Sequence, residues 1–192
     1  MLSHSMGGHI GLRFLHENPN IIKKAIFVSP MFNIKTFSVS RSITKTITKI
    51  ICNSGFSDHF IFGAKKYDST RSNLKKNIFS HDPLKFNIQA AAIEKNPDLA
   101  LGGVTWGWLN AAYKSIDILL QKDYVSTIRT PVLIINAQKD KLVKRSSQKR
   151  VHKYLPNCKY ISIKGAYHEI LFEEQSIIDV FWENFNNFID LP

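Results

Sequence analysis

Three side chains of the sequence have the types needed for nucleophilic catalysis: Ser5, Asp140 and His168. A serine hydroxyl is a weak nucleophile at neutral pH, so an imidazole must take its proton. A carboxylate must then hold that imidazole in one tautomer and stabilise its cation. Such a set attacks an acyl carbon and passes through an acyl-enzyme without help from a metal or cofactor. We therefore predict no metal site and no cofactor.

The serine lies in the segment Met1–Gly8, whose residue types predict a sharp turn from a strand into a helix. The apolar residues Met1 and Leu2 precede Ser5, and a helical pattern begins at Gly7-Gly8. A turn of this kind strains the backbone of the nucleophile, and the residues two before and two after it must be small. Ser3 and Gly7 meet that requirement. If Ser3 were the nucleophile, the residue three positions before it would be missing from the sequence, so we prefer Ser5 as the nucleophile.

The other acids and histidines fit these roles less well. Asp98, Asp117 and Asp123 precede the strand that Asp140 follows. His4 adjoins the serine but is expected to point away from it. We interpret the remaining histidines as surface or packing residues: His9 and His16 on the first helix, His59 and His81 in the middle of the chain, and His152 in a later basic helix.

Short apolar runs separated by helical patterns are the elements that must position the three residues. Residues 24–30 and 131–137 are typical of buried parallel strands, and residues 158–163 alternate like a further strand. The loops after parallel strands share the carboxyl edge of the sheet, so Asp140 and His168 can meet Ser5 there. Alternating strands and helices predict an α/β fold class.

Residues 31–127 interrupt this alternation, because no buried strand is predicted within them. An amphipathic basic helix is predicted over residues 39–51, and a second helical pattern over residues 104–120 carries Trp106 and Trp108. The tryptophans either contact a substrate or pack inside the insertion. We therefore divide the chain into core residues 1–30 with the nucleophile, a helical insertion over 31–127, and core residues 128–192 with the acid and the histidine.

Three separated segments resemble motifs of one enzyme family. Residues 3–8 resemble the G-H-S-M-G-G turn of α/β-hydrolases in the lysophospholipase, monoacylglycerol lipase and serine aminopeptidase group, with serine replacing the first glycine. Residues 137–143 are similar to the family's A-x-x-D-x-V-V loop, and residues 164–173 to its G-A-x-H-E-I-L-x-E segment. The resemblance implies a partial α/β-hydrolase fold, with residues 31–127 as a helical cap, and a serine ester hydrolase of the lysophospholipase type.

The same resemblance implies that part of the family's fold is missing from this chain. One oxyanion donor would be the backbone N–H of Met6, the residue after the nucleophile, whereas the second comes from an early loop that the chain lacks. The family's sheet also has more strands than are predicted here. We therefore expect a truncated form of a longer enzyme, with lower activity than its full-length relatives.

The composition is that of a globular protein with an excess of positive charge. The 192 residues carry a net charge of +11, and they are predicted to form one domain. Cys52 and Cys158 form no C-x-x-C motif and are predicted to be buried thiols in a reducing compartment. Nine Lys or Arg and only two acids lie between Lys35 and Lys76. This bias indicates either an anionic partner, such as a lipid surface or a phosphorylated substrate, or a solvated lysine-rich surface.

These observations predict a cytoplasmic enzyme that acts on a small lipid or ester and touches the anionic inner membrane surface peripherally. No nucleic-acid partner is expected, because the sequence holds no nucleic-acid-binding motif. Two alternatives remain open: a serine aminopeptidase-like peptidase, and an inactive remnant that binds a lipid surface. An aminopeptidase must bind a substrate ammonium group, and the basic character of residues 31–127 argues against it.

Overall fold

Residues 1–36, 39–67 and 77–190 are described by a computed structural model of the chain. Part of the predicted basic stretch, including Asp68, Arg71, Lys75 and Lys76, lies outside these residues. The chain divides into two compact units. Unit 1 comprises Met1–Lys35, Asn77–Phe86 and Ile118–Pro192, and unit 2 comprises Thr36–Lys76 and Asn87–Asp117.

Unit 1 is built on a sheet of four parallel strands in the order β1-β2-β3-β4. The strands are β1 (Leu2–His4), β2 (Ala25–Val28), β3 (Val132–Ala137) and β4 (Cys158–Ile163). Every residue of β2 and β3 is buried. Their nearly continuous apolar runs, broken only by Asn136, agree with this, because a parallel strand covered on both faces needs no alternating polar residues. The α/β fold class and the strands predicted from the sequence are confirmed.

Helices of unit 1 cover both faces of the sheet. Leu12 and Leu15 of α1 (Met6–Glu17) join one apolar cluster, together with side chains of α5 (Lys122–Ser126) and α6 (Arg145–Tyr154). Phe181 and Phe188 of α7 (Gln175–Ile189) join a second cluster, on the other set of alternating strand residues. The clusters divide β2 and β3 between them because successive strand side chains point to opposite faces.

Unit 2 contains α2 (Arg41–Asn53), most of α3 (Pro83–Lys95) and most of α4 (Trp106–Leu119). The two predicted helices of this region are confirmed, whereas α3 was not predicted. The described part of residues 31–127 contains no strand, only isolated bridges at Ile34 and between Phe60 and Thr105. This region contributes to both units, and the interpretation of residues 31–127 as one cap stays a prediction.

The helix α2 does not bury its apolar stripe. Ile43, Ile47 and Ile50 are 54%, 40% and 60% exposed, and the one buried residue of the helix is Thr48. Asp117 holds the helix within unit 2 by ion pairs to Arg41 and Lys45. No helix among the described residues is long and apolar enough to cross a membrane.

Candidate active site

Ser5 lies at the junction of β1 and α1, where its backbone is strained. Its φ is 50° and its ψ is −117°, a region that side-chain-bearing residues rarely adopt. Hydrogen bonds hold this conformation. The Ser5 N–H donates to the Val28 carbonyl at 3.0 Å, and its carbonyl accepts from the N–H of Met31 at 2.9 Å and of Gly8 at 3.0 Å. The turn therefore presents the serine hydroxyl clear of the strand.

Two glycines of α1 allow this helix to pack closely against β2 and the loop that follows β2. A Cβ on Gly8 would lie 2.8 Å from the Cβ of Pro30, and a Cβ on Gly11 would lie 2.8 Å from the Phe27 ring. A Cβ on Gly7 would meet only the Ser3 Cβ, at an ordinary 3.8 Å. The sequence argument placed the steric demand at Gly7. The close approach is instead at Gly8 and Gly11, because Gly11 faces Phe27 of β2 and Gly8 faces Pro30 in the loop after β2.

One imidazole bridges the predicted nucleophile and the predicted acid. His168 Nε2 lies 2.9 Å from Ser5 Oγ, and His168 Nδ1 lies 2.6 Å from Asp140 Oδ2. His168 is 3% exposed and Asp140 is 4% exposed, so the pair is shielded from water. Asp140 follows β3 and His168 follows β4, and both loops leave the carboxyl edge of the sheet at which β1 delivers Ser5. The structure thus brings together three residues that are far apart in sequence.

The acid is held in place by its own loop. Asp140 Oδ1 accepts hydrogen bonds from the N–H groups of Leu142 at 2.7 Å and Val143 at 3.1 Å. Its backbone carbonyl accepts from Lys35 Nζ. One carboxylate oxygen is therefore committed to the backbone, and the other is free to face the imidazole.

His4 contacts the site, although the sequence argument expected it to point away. Its Nε2 lies 3.2 Å from the His168 carbonyl oxygen and 3.6 Å from Glu169 Oε2. Its ring meets the His168 ring edge-on, with centroids 4.9 Å apart. Burial lowers the pKa of His4 below its ordinary value, although Glu169 acts in the opposite direction. A neutral His4 therefore packs against the His168 ring near neutral pH.

His4, His168 and Glu169 are also the group that best fits a metal ion among the described residues. Their ligand atoms lie within 4.8 Å of one another. Both ring nitrogens of His168, however, already face Ser5 and Asp140. A metal ligated by His168 would have to displace one of these partners. The geometry therefore favours the hydrogen bonds of His168 to Ser5 and Asp140 over a metal centre.

The remaining predicted site residues are Met6, Trp106 and Trp108. Met6 is the first residue of α1, so its N–H has no acceptor within the helix and lies at the positive end of the helix dipole. Trp106 is buried in unit 2 and meets the Phe62 ring edge-on at 5.2 Å, whereas Trp108 is half-buried. The packing role considered for the tryptophans thus applies to Trp106. Substrate contact by either tryptophan stays a prediction.

Glu173 and His81 are further residues of this region to which the sequence argument assigned no part in the site. Glu173 is buried, and it accepts hydrogen bonds from Tyr167, which precedes His168, and from His81. His81 belongs to residues Asn77–Phe86 of unit 1. Glu173 does stand in the segment 164–173 on which the family resemblance rests. That position was the available signal, but a sequence pattern does not say which backbone groups the carboxylate binds.

A family model described as serine aminopeptidase, S33, matches residues 1–175. The chain belongs to the serine aminopeptidase S33 family. The match includes Ser5, Asp140 and His168, so the site described above lies within the part of the chain that defines the family. The resemblance of the three motifs to this group of α/β-hydrolases is confirmed.

Curated relatives of this S33 family chain are lysophospholipases. The probable lysophospholipase L2 of Haemophilus influenzae is 26% identical over 192 residues, covering 100% of this chain and 59% of the relative. Lysophospholipase L2 of Escherichia coli K12 is 24% identical over 187 residues, covering 94% of this chain and 54% of the relative. The chain therefore spans somewhat more than half the length of these relatives.

Solved structures share the α/β-hydrolase fold of this chain over part of their own length. A soluble variant of monoglyceride lipase from Saccharomyces cerevisiae, in complex with a substrate analog, superposes with a TM-score of 0.75 at 17% identity, over 99% of this chain and 64% of that one. Monoacylglycerol lipase from Paleococcus ferrophilus gives 0.69 at 16% identity, over 98% and 66%. The fold predicted for this S33 family member is confirmed by these likenesses.

Proposed function

We propose that Ser5, Asp140 and His168 form the catalytic triad of a serine hydrolase that cleaves acyl esters through an acyl-enzyme. The observation that carries this proposal is the single imidazole that contacts Ser5 Oγ with one nitrogen and Asp140 with the other. The strained backbone of Ser5 supports it, because such strain persists where a turn must aim a reactive side chain.

The geometry supplies each proton transfer of this reaction. Ser5 Oγ–H donates to His168 Nε2, which takes the proton as the oxygen attacks the ester carbonyl. Asp140 accepts from His168 Nδ1–H and stabilises the imidazolium. His168 then protonates the leaving alcohol, and water releases the acyl group by the same steps in reverse. We propose the Met6 N–H, at the start of α1, as one donor to the developing oxyanion.

A lipid ester with one acyl chain is the substrate class we propose. Names of the curated relatives and of the solved neighbours point to lysophospholipids and monoacylglycerols. The family description instead favours an aminopeptidase, which needs carboxylates to bind a substrate ammonium group. In the described part of unit 2 the acids are Asp58, Glu94, Asp98 and Asp117, and Asp117 already pairs with Arg41 and Lys45. This scarcity supports the lipid ester.

We further propose that α2 contacts an anionic lipid surface. Its exposed isoleucines form an apolar stripe, and an exposed lysine, Lys49, lies on the same helix. Interfacial helices combine these two features, because apolar side chains enter the acyl region while cations meet the lipid phosphates. Lys45, on the same helix, is paired with Asp117 and contributes less net charge.

Fluorophosphonate labelling tests the nucleophile directly, because the probe reacts only with an activated serine. The wild-type chain is expected to be labelled, Ser5→Ala to lose all labelling, and Ser3→Ala to keep it. Ser3 is the matched control, since it is a serine of the same turn and the alternative nucleophile. Labelling that survives in the Ser5→Ala protein would remove Ser5 from the mechanism.

A further inference from the structure

Glu173 is a fully buried carboxylate, at 0% exposure, in the loop between the strand that precedes His168 and the helix α7. Burying an ionised carboxylate destabilises a protein unless hydrogen bonds replace its water. The triad does not use this residue, so its burial needs an explanation of its own. The donors that surround it supply one.

Three N–H donors converge on the two oxygens of Glu173. The Tyr167 backbone N–H lies 2.6 Å from Oε1, and the His81 backbone N–H lies 2.8 Å from Oε2. His81 Nδ1 lies 3.0 Å from each oxygen, which requires a proton on that nitrogen. The carboxylate thus joins the residue immediately before His168 to the separate segment Asn77–Phe86.

The residue immediately after His168 is attached to the same segment. The Glu169 N–H donates to the Phe79 carbonyl at 2.8 Å. The His81 ring stacks on the Tyr167 ring, with centroids 3.8 Å apart. Lys85 Nζ donates to the backbone carbonyl of Glu173 at 2.7 Å. The backbone is therefore fixed on both sides of His168, and every bond in this set leads to Glu173 or to the segment it holds.

We propose that Glu173 is a positioning residue for His168, and that it acts through the Tyr167 N–H and through the segment Asn77–Phe86. The inference rests on the proposed function, because it assumes that His168 is the catalytic base. Its content is geometric: without the carboxylate, the His168 loop loses the anchor that holds Nε2 at Ser5 Oγ and Nδ1 at Asp140.

A glutamate is needed here because a carboxylate only accepts hydrogen bonds. A glutamine has the same shape but one acceptor oxygen, and its NH₂ group would face an N–H donor. At least one buried donor would then be left without a partner, which destabilises this arrangement of the loop. The loop can relieve this cost only by moving, and movement of about 1 Å at a catalytic group can lower a rate by about 100-fold.

The test compares Glu173→Gln with Glu174→Gln, a matched change at the adjacent, exposed glutamate. Two quantities are measured on folded protein: the rate of fluorophosphonate labelling, and the far-downfield proton resonance of His168 Nδ1–H, assigned by its loss in His168→Gln. Glu173→Gln is expected to label about 100-fold more slowly and to shift or lose the resonance. Glu174→Gln is expected to match the wild type in both. A purely structural role for Glu173 would lower the melting temperature and leave both readouts unchanged, which would overturn the proposal.

Glu173→Asp covers the case in which Glu173→Gln does not fold. The aspartate keeps the charge but is one methylene shorter, so it cannot reach Tyr167 and His81 together. A folded Glu173→Asp protein is expected to show the same two changes, and wild-type behaviour in it overturns the proposal. The resonance also separates this inference from the proposed function. If the wild type shows no labelling, Ser5 chemistry fails, whereas a resonance that depends on Glu173 but not on Glu174 still supports the positioning role.

Discussion

The two carboxylate oxygens of Asp140 have different partners. Oδ1 faces the backbone N–H groups of Leu142 and Val143, and Oδ2 faces His168. The loop therefore decides which oxygen meets the imidazole. Because the Asp140 carboxylate offers His168 only an acceptor, the imidazole must carry its proton on Nδ1. The other ring nitrogen, Nε2, can then accept a hydrogen bond from the Ser5 hydroxyl.

Replacing this carboxylate by an amide is expected to invert that tautomer. In Asp140→Asn the single oxygen stays with the two backbone donors, and the NH₂ group then faces His168 Nδ1. The imidazole would carry its proton on Nε2 and could no longer take one from Ser5. An amide replacement in a triad lowers turnover by about 10⁴-fold. The labelling rate of the variant measures this loss, with Asp123→Asn, an exposed aspartate on α5, as control. An unchanged rate in Asp140→Asn would exclude the carboxylate from the mechanism.

At the scale of elements, the junction of β1 and α1 depends on which helix face meets the sheet. Gly8 and Gly11 face Pro30 and Phe27, and a Cβ at either would enter the space of these neighbours. The Pro30 ring cannot turn away as a flexible side chain would. The helix that presents the Met6 N–H can therefore lie close to β2 only with glycine at these positions.

Gly8→Ala and Gly7→Ala form a matched pair on adjacent residues of α1. Gly8→Ala is expected to destabilise the fold by about 1–3 kcal/mol, the usual cost of overpacking, and to slow Ser5 labelling because the turn must shift. Gly7→Ala is expected to be neutral, or to stabilise by up to about 1 kcal/mol, because alanine favours a helix over glycine. Denaturant unfolding measures both. Equal stabilities of the two variants would contradict the assigned approach at Pro30.

The exposed stripe of α2 gives an element-scale prediction about membranes. Replacing Ile43, Ile47 and Ile50 together by Asn should weaken binding to anionic liposomes by at least about 10-fold, because each buried isoleucine contributes roughly 1.5–3 kcal/mol when fully transferred from water. Lys49→Gln should weaken binding more at low salt than at high salt, because screening already reduces exposed charge contacts. Liposome co-sedimentation measures both effects.

Charge alone cannot locate this contact, because a second basic stretch exists. Residues 139–164 hold nine Lys or Arg and a single acid, the buried Asp140. The sequence analysis placed the charge excess in residues 35–76 only, which was wrong. The triple isoleucine variant keeps every charge and is therefore the decisive one. Binding that is unaffected by it, or that is equal on neutral and anionic lipid, would leave α2 as a solvated helix.

At the scale of the whole molecule, the balance of charge bears on the choice between ester and peptide substrates. The described part of unit 2 holds four acids against seven Lys or Arg: Arg41, Lys45, Lys49, Lys65, Lys66, Lys95 and Lys114. We expect lysophospholipids and monoacylglycerols to be cleaved faster than aminoacyl amides, because an ammonium group would find few free carboxylates. Parallel turnover assays with the two substrate types test this. Faster cleavage of the amide would favour the aminopeptidase.

Local sequence patterns were sufficient for the sheet and for the order of the site residues. The run that became β2 is wholly apolar and that of β3 is interrupted only by Asn136, a pattern typical of strands buried on both faces. Ser5, Asp140 and His168 could be predicted because each follows a strand, and parallel strands bring such loops to one edge. These inferences rest on the chain's local periodicity, on one topological rule and on the three motif resemblances.

Only the tertiary structure decided what surrounds those three residues. His4 meets the His168 carbonyl across 164 residues of sequence, and Glu173 binds His81 across 92. The exposure of the isoleucines of α2 has the same origin, since a helical stripe has the same periodicity whether protein, lipid or water covers it. Periodicity reports the shape of an element and the face that is apolar. It does not report which backbone groups a distant side chain will reach, because that depends on how loops from different strands meet in space.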